Sequence, residues 1–428
     1  MSLAAQQTLR LNRPGSGTGL ASSSAAFPVG VRVCAIGLVT TIFLRSSSLP
    51  TGLSANHLFV ACCGCLILSL AYLMGTHRLT FNVPTLILVT LTLPSLMAAE
   101  DGRTSALKWF GWMCLIGSVG PLFSDEIKLK VRTLQWTRRL ILLSTLGSLL
   151  LNIAGIRLSG RGVYFGLMGH TMILAPVAAL ASIDLFTSRD RFGGRIYILL
   201  MALCAITCVG AGSRGAVLGM TAGILTHVTH RKQGLFVLLL AALALAGASV
   251  VQLNQVTNEK GVTVGGGNFF AELAKKGTND TRGHLWAARI EEFVSSPVMG
   301  VGFQQQRVYR EDTEEKFLEP GSSYLAVLSM TGTLGAAGFL AMIAALWTSL
   351  FSPSSAVPTE LKDLLRGWTA FFAVHFFIEG YVFACGSLLC FLFWLTAGCA
   401  ISLHHQGLRR RSRERVQQLT RRRERRAA

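Results

Sequence analysis

YLAVLSMTGTLGAAGFLAMIAALWTSLF, residues 324–351, runs without a single Asp, Glu, Lys or Arg. A helix rises 1.5 Å per residue, so roughly 20 apolar residues cross about 30 Å of hydrocarbon. This run is long enough to span a bilayer and still hold a break at Gly332 or Gly335. Working outward from it, comparable runs recur near 29–44, 58–74, 83–98, 106–123, 140–156, 169–186, 196–212, 215–229, 234–251, 368–384 and 386–403. With 324–351 they predict an all-α, polytopic bundle of about twelve transmembrane spans, the eighth of them short.

Composition agrees. Charged residues are 14% of the 428 positions, where a soluble domain carries about 25%, and the mean hydropathy is +0.49. That excludes an ordinary soluble protein. The net charge of +19 would suggest nucleic acid on a folded soluble surface, but here topology accounts for it and no nucleic-acid partner is expected. All ten cysteines fall in or at the ends of apolar runs, so no disulfide framework follows. Cys62, Cys63 and Cys65 lie mid-span without His or a second CxxC and read as small apolar filler rather than a metal site.

Lys and Arg in the short loops set the orientation. They gather at Arg78, at Lys128 to Arg139, at Arg189 to Arg195, at Arg231-Lys232, at Lys362 and Arg366, and as ten arginines after His404. These segments, with both termini, are expected on the cytoplasmic side. The chain then divides into a cytoplasmic tail at 1–28 without a cleavable leader, spans 1–9 over 29–251, an extracytoplasmic loop at 252–321, spans 10–12 over 322–403, and a basic tail at 404–428 that anchors on anionic lipid.

The large loop carries eight cations against ten acids, net −2 on a chain that is otherwise +21. Asp280 or Thr281 can cap a helix there whose apolar positions Trp286, Ile290 and Phe293 recur at four and three, ended by Ser295-Ser296-Pro297. Arg282 and Arg289 are two turns apart on one face, with Glu292 near Arg289. Arg103, Arg157, Arg161 and Arg214 stand close to extracytoplasmic span ends. Guanidinium at a membrane surface grips phosphate through parallel hydrogen bonds, so the gathering of Arg157, Arg161, Arg214, Arg282 and Arg289 on one side points to an anionic, lipid-linked ligand. His375 and Glu379, four apart, read as a structural pair inside the eleventh span.

Several stretches in order resemble a family. Arg157-Leu158-Ser159-Gly160, Ser213-Arg214-Gly215-Ala216, Thr281-Arg282-x-x-Leu285-Trp286, Pro297-x-x-Gly300-Val301-Gly302-Phe303, Tyr324-Leu325 and Gly332-Thr333-Leu334-Gly335 are similar to the O-antigen ligase and O-antigen polymerase superfamily. The resemblance covers roughly residues 150–351. It implies a metal-independent glycosyltransferase, without cofactor, that takes sugar from undecaprenyl pyrophosphate on the outer face of the bacterial inner membrane. Donor and acceptor glycans, membrane lipid and other polysaccharide-assembly proteins would be its partners.

Arg282 and Arg289 would grip the donor diphosphate, with Arg157, Arg161 and Arg214 completing the cationic site. The acceptor hydroxyl needs a base. Ligases carry a His, then Asn, Ser or Gln, nine residues and Gly. Here Gly321 stands in the His position with Ser322 in the polar slot, and the nearest proton acceptor is Glu319. The missing His favours a polymerase that joins lipid-linked repeats of exopolysaccharide, capsule or O-antigen. A ligase-type transferase to a lipid acceptor and a lipid-linked oligosaccharide flippase stand as the alternatives.

Overall fold

The computed structural model describes residues 29–49, 55–76, 80–124, 127–156, 166–188, 194–231, 283–303, 307–310, 313–317, 321–352 and 355–427. In chain order these form α1 (Val29–Ser46), α2 (Ala55–Thr76), α3 (Val83–Thr92), α4 (Pro94–Met97), α5 (Gly102–Ser118), α6 (Ile127–Ile153), α7 (Thr171–Ser188), α8 (Gly194–Gly210), α9 (Arg214–Arg231) and α10 (Gly283–Ser295). Strands β1 (Arg307–Arg310) and β2 (Thr313–Phe317) follow, then α11 (Ser323–Phe351), α12 (Thr359–His375) and α13 (Leu388–Ala427).

Among the described residues, five helices are long and apolar enough to cross a membrane: α1, α2, α7, α11 and α13. Their burial differs in a way that defines the bundle. The apolar windows of α7 and α13 are 83% and 89% buried, whereas those of α1 and α2 are 39% and 28% buried. The first pair forms the centre, and the second presents Val29, Val33, Val60 and Leu68 outward. An apolar exterior of this kind is the face a bilayer solvates. Helix α9 packs closely on α12 because Gly219 and Gly223, one turn apart, meet Phe371 and Gly367 where a methyl group would not fit.

Several boundaries depart from the sequence expectations for identifiable reasons. The third span is interrupted at Leu93, before Pro94, whose missing N–H cannot continue the ladder. The basic stretch Lys128 to Arg139, expected as a loop, is instead the start of α6. Lys130 is fully buried there and donates to the Phe123 carbonyl and to Ser402 Oγ, tying α6 to α13 and to the segment that follows α5. Arg138 grips Asp184 of α7 with two parallel bonds, at 2.8 and 2.6 Å. The eleventh run becomes helical early, at Thr359, and stops at His375, so that residues 376–387 cross back as turns.

The expected loop helix is present as α10. Its caps Asp280 and Thr281 lie outside the described residues, as does the run 234–251. The antiparallel ribbon β1–β2, with Arg307 opposite Phe317, has no counterpart in the sequence reading. Helix α10 is also inside out for a soluble helix. Of the expected apolar positions Trp286 and Ile290 are exposed, as is Val294, and Phe293 is half-buried, while Arg289 and Glu292 are buried. The apolar spacing was therefore an outward stripe, suited to hydrocarbon rather than to a protein core.

Candidate functional site

The site is built around a broken helix. At Gly332 α11 leaves helical geometry, with φ of 61° and ψ of −168°. An uninterrupted helix would bond Thr333 N–H to Ser329 O and Leu334 N–H to Met330 O. Both bonds are replaced by an incoming strand of chain. Thr333 and Leu334 N–H donate to Pro297 and Val298 carbonyls at 2.8 and 3.3 Å, and the freed Ser329 and Met330 carbonyls accept from Val301 and Gly302 N–H at 2.9 and 3.0 Å. Every backbone group released by the break is thus satisfied, as it must be where water is absent. Gly300 and Gly332 carry positive φ, and a Cβ on either would lie within 2.5 Å of the other segment's backbone. The Pro-x-x-Gly-Val-Gly-Phe and Gly-Thr-Leu-Gly stretches, separate in sequence, are two halves of one clamp.

On the near side of this clamp α10 lies against α11 and turns Arg289 inward, where it is 1% exposed. Arg289 Nη1 comes within 2.7 Å of Glu292 Oε2. The approach is off the hydrogen-bond direction, and none of the three guanidinium nitrogens finds an aligned acceptor among the described residues. Burial pushes the Glu292 carboxyl above its ordinary range, opposed by Arg289 and by Ser329 of α11. The same burial lowers the Arg289 guanidinium against the pull of Glu292.

Before the break, the start of α11 is fixed to the end of α12. Ser322 is the N-cap, with its Oγ accepting from Leu325 N–H and donating to the Phe376 carbonyl at 3.1 Å. Ser323 Oγ donates to the Glu379 carbonyl at 2.7 Å and accepts from Tyr381 N–H. His375 Nδ1 is 2.8 Å from Tyr381 Oη.

On the far side of the clamp the chain enters a cavity of about 550 Å³. Phe303, whose N–H donates to Ser105 Oγ at 2.7 Å, forms part of its wall and packs on Phe383 and Trp112 with ring centroids 4.9 and 5.8 Å apart. Arg45 at the end of α1 and Lys108 of α5 also line the cavity, and among the described residues no carboxylate does.

Of the residues singled out from sequence, Arg289, Ser322 and Arg214 are described. Arg289 and Ser322 both lie against α11 or its start, and Arg214 is exposed at the head of α9, next to Gly215, which packs on Ile378. Arg157, Arg161, Arg282 and Glu319 lie outside the described residues. Arg45 and Lys108 were not anticipated. The signal was available, since each is a cation at the end of an apolar run or inside one, where charge is expensive.

Comparison with known proteins bears on the stretch that builds the clamp. No curated protein matches the chain. A family model described as O-antigen ligase matches residues 199–340, which run from within α8 through α9, α10 and the ribbon to the middle of α11. The match covers roughly a third of the chain and includes Arg214, Arg289 and both halves of the clamp. Over residues 199–340, therefore, this membrane protein is similar to the O-antigen ligases, which shows the resemblance to the O-antigen ligase and polymerase superfamily for the motifs from Ser213 to Gly335, while Arg157-Leu158-Ser159-Gly160 lies outside the match.

Proposed function

We propose that the protein is a polymerase-type glycosyltransferase that joins oligosaccharide repeats carried on undecaprenyl pyrophosphate at the extracytoplasmic face of the inner membrane. The observation that carries this reading is Arg289. A fully buried guanidinium normally spends its N–H groups on protein acceptors. This one, in the stretch that matches the O-antigen ligase model, keeps them unspent beside a single carboxylate.

In the reaction the anomeric carbon–oxygen bond to the diphosphate breaks and its electron pair leaves with the phosphate. The acceptor hydroxyl oxygen bonds to the same carbon, and its proton passes to a base. Arg289 and Arg282 hold the departing diphosphate, with Arg157, Arg161 and Arg214 adding to the field. Fixed guanidinium groups supply the charge stabilisation that a metal gives elsewhere. Glu319 takes the proton. Ser322 acts through α11, because its hydroxyl is committed to the helix cap and to Phe376. A polymerase rather than a ligase fits the absence of His at position 321.

Membranes from a deletion strain separate the readings. Accumulated single repeats on the carrier lipid at the outer face support polymerisation. Accumulated long chains on the carrier indicate a ligase, and single repeats trapped at the cytoplasmic face indicate a flippase.

A further inference from the structure

Cys63 reads from sequence as apolar filler, but the fold gives it a partner. Cys63 of α2 and Cys385 of the turns at 376–387, far apart in the chain, share a side-chain hydrogen bond. Their neighbours fix this approach independently of the sulfurs. Phe59 stands one turn before Cys63 on the same face of α2, and its Cδ2 lies 3.0 Å from where a Cβ on Gly386 would stand. On the other flank Gly111 of α5 leaves room for the Cys385 sulfur, which lies 3.1 Å from where a Cβ on Gly111 would stand. Arg45 reaches between Phe59 and Gly386, its guanidinium carbon 4.9 Å from the ring centre. A fixed cation beside a thiol is the setting in which thiols react.

Access and give single out the same pair. Cys63 and Cys385 are partly exposed, whereas the neighbouring Cys62 and Cys390 are buried, and Cys390 Sγ donates to the Val382 carbonyl at 3.3 Å. Cys385 lines the cavity. A disulfide sets its sulfurs about 2.05 Å apart, closer than a hydrogen bond, so one partner must shift. Cys63 is held in a helix, but Cys385 is carried by turns, which can yield. On the orientation that Lys and Arg in the loops give, the end of α1 and the start of α2 face the extracytoplasmic side, where thiols are oxidised.

We propose that Cys63 and Cys385 form a reversible disulfide that staples α2 to the turns at 376–387, with a disulfide donor of the extracytoplasmic compartment as oxidant. The Cys63 thiolate attacks one donor sulfur and expels the other. The Cys385 thiolate then attacks the Cys63 sulfur of the mixed disulfide and expels the second donor sulfur. The two cysteine protons pass to the donor thiolates, and the donor gains the two electrons that the pair loses. The staple acts on the start of α11, because the same turns supply the Phe376 and Glu379 carbonyls and the Tyr381 N–H that hold Ser322 and Ser323. It rests on the orientation and not on the transferase reading.

The test equilibrates purified full-length protein in nanodiscs with oxidised glutathione, alkylates it with N-ethylmaleimide and digests it without reductant. Mass spectrometry is expected to find the Cys63 and Cys385 peptides joined, and dithiothreitol to release them. The same joined peptides are expected from intact cells quenched with acid and alkylated. Oxidised native protein should inactivate at a higher temperature than reduced protein, and the difference should vanish in Cys385→Ser. Both thiols found alkylated after oxidised glutathione overturns the proposal, as does Cys385 joined to Cys62 or Cys390 instead. These results are read on the native protein, whether or not the variant folds. Equal inactivation temperatures for the oxidised and reduced native protein overturn the stapling. Joined peptides in nanodiscs with both thiols free in cells also overturn it, since the compartment's donor then does not reach the pair.

Discussion

Replacing Gly332 with Ala probes the clamp at its tightest point. A non-glycine residue held at a φ of 61° and ψ of −168°, a region that only glycine populates readily, costs about 1–3 kcal/mol in backbone energy. The new Cβ would also lie 2.2 Å from the Val298 carbonyl oxygen, so the Pro297–Val298 segment must move away. That movement strands the N–H groups of Thr333 and Leu334, at about 1–3 kcal/mol for each buried donor left unpaired. The sum, about 3–9 kcal/mol, is a large share of the roughly 5–15 kcal/mol that holds a native protein together. Gly155→Ala is the matched control, because Gly155 has a φ of 69° but nothing within 4 Å of the added methyl. It should bear the backbone term alone. Thermal inactivation midpoints of the two variants in the same detergent are expected to rank native, then Gly155→Ala, then Gly332→Ala far below. Equal midpoints for the two variants would refute the backbone exchange as the reason for the motif.

Four further outcomes follow from the same geometry. Asp184→Asn removes the negative charge and one of the two oxygens that accept from Arg138 and is expected to destabilise the α6–α7 contact by about 2–3 kcal/mol, read as a lower denaturation midpoint with unchanged donor binding. Burial raises the Glu292 carboxyl above 4.5, so the folded state holds that proton more tightly than the unfolded one, and stability falls as pH rises from the ordinary carboxylate range through the raised value. The difference in melting midpoint between native protein and Glu292→Gln should therefore shift against the native protein over that window, and a flat difference would contradict the burial argument. Gly386→Ala forces an added methyl onto the Arg45 guanidinium at a φ of 90° and is expected to lower the denaturation midpoint, while Gly64→Ala, in open space, leaves it unchanged. On the proposed mechanism, in which side chains neutralise the diphosphate, a chelator should leave sugar transfer untouched.

The hydropathy of runs such as 29–44 and 169–186 was enough to place α1 and α7, because length and apolarity alone decide whether a helix can cross a bilayer. A break was legible as well, at Gly332 or Gly335 of an over-long apolar run, and the structure places it at Gly332. What the sequence did not reveal is where the broken bonds go. The pairing of Pro297–Gly302 with residues 329–334 is long-range and made by backbone atoms, which leave no pattern of side chains. Helix α10 was found by its spacing, but the spacing does not say that the apolar stripe faces outward and Arg289 inward, because periodicity is the same for either solvent. Arg45 and Lys108 belong to helices distant in sequence, and only packing around Gly386 and Gly111 brings them to one cavity.

The central claim, that fixed arginines draw sugar from a lipid diphosphate, meets its most direct test in vesicles holding the purified protein and a carrier-linked repeat with chelator present. The account expects glycan chains to lengthen with native protein and to stop, at equal protein level, with Arg289→Gln. Lengthening that continues unchanged in that variant would contradict it.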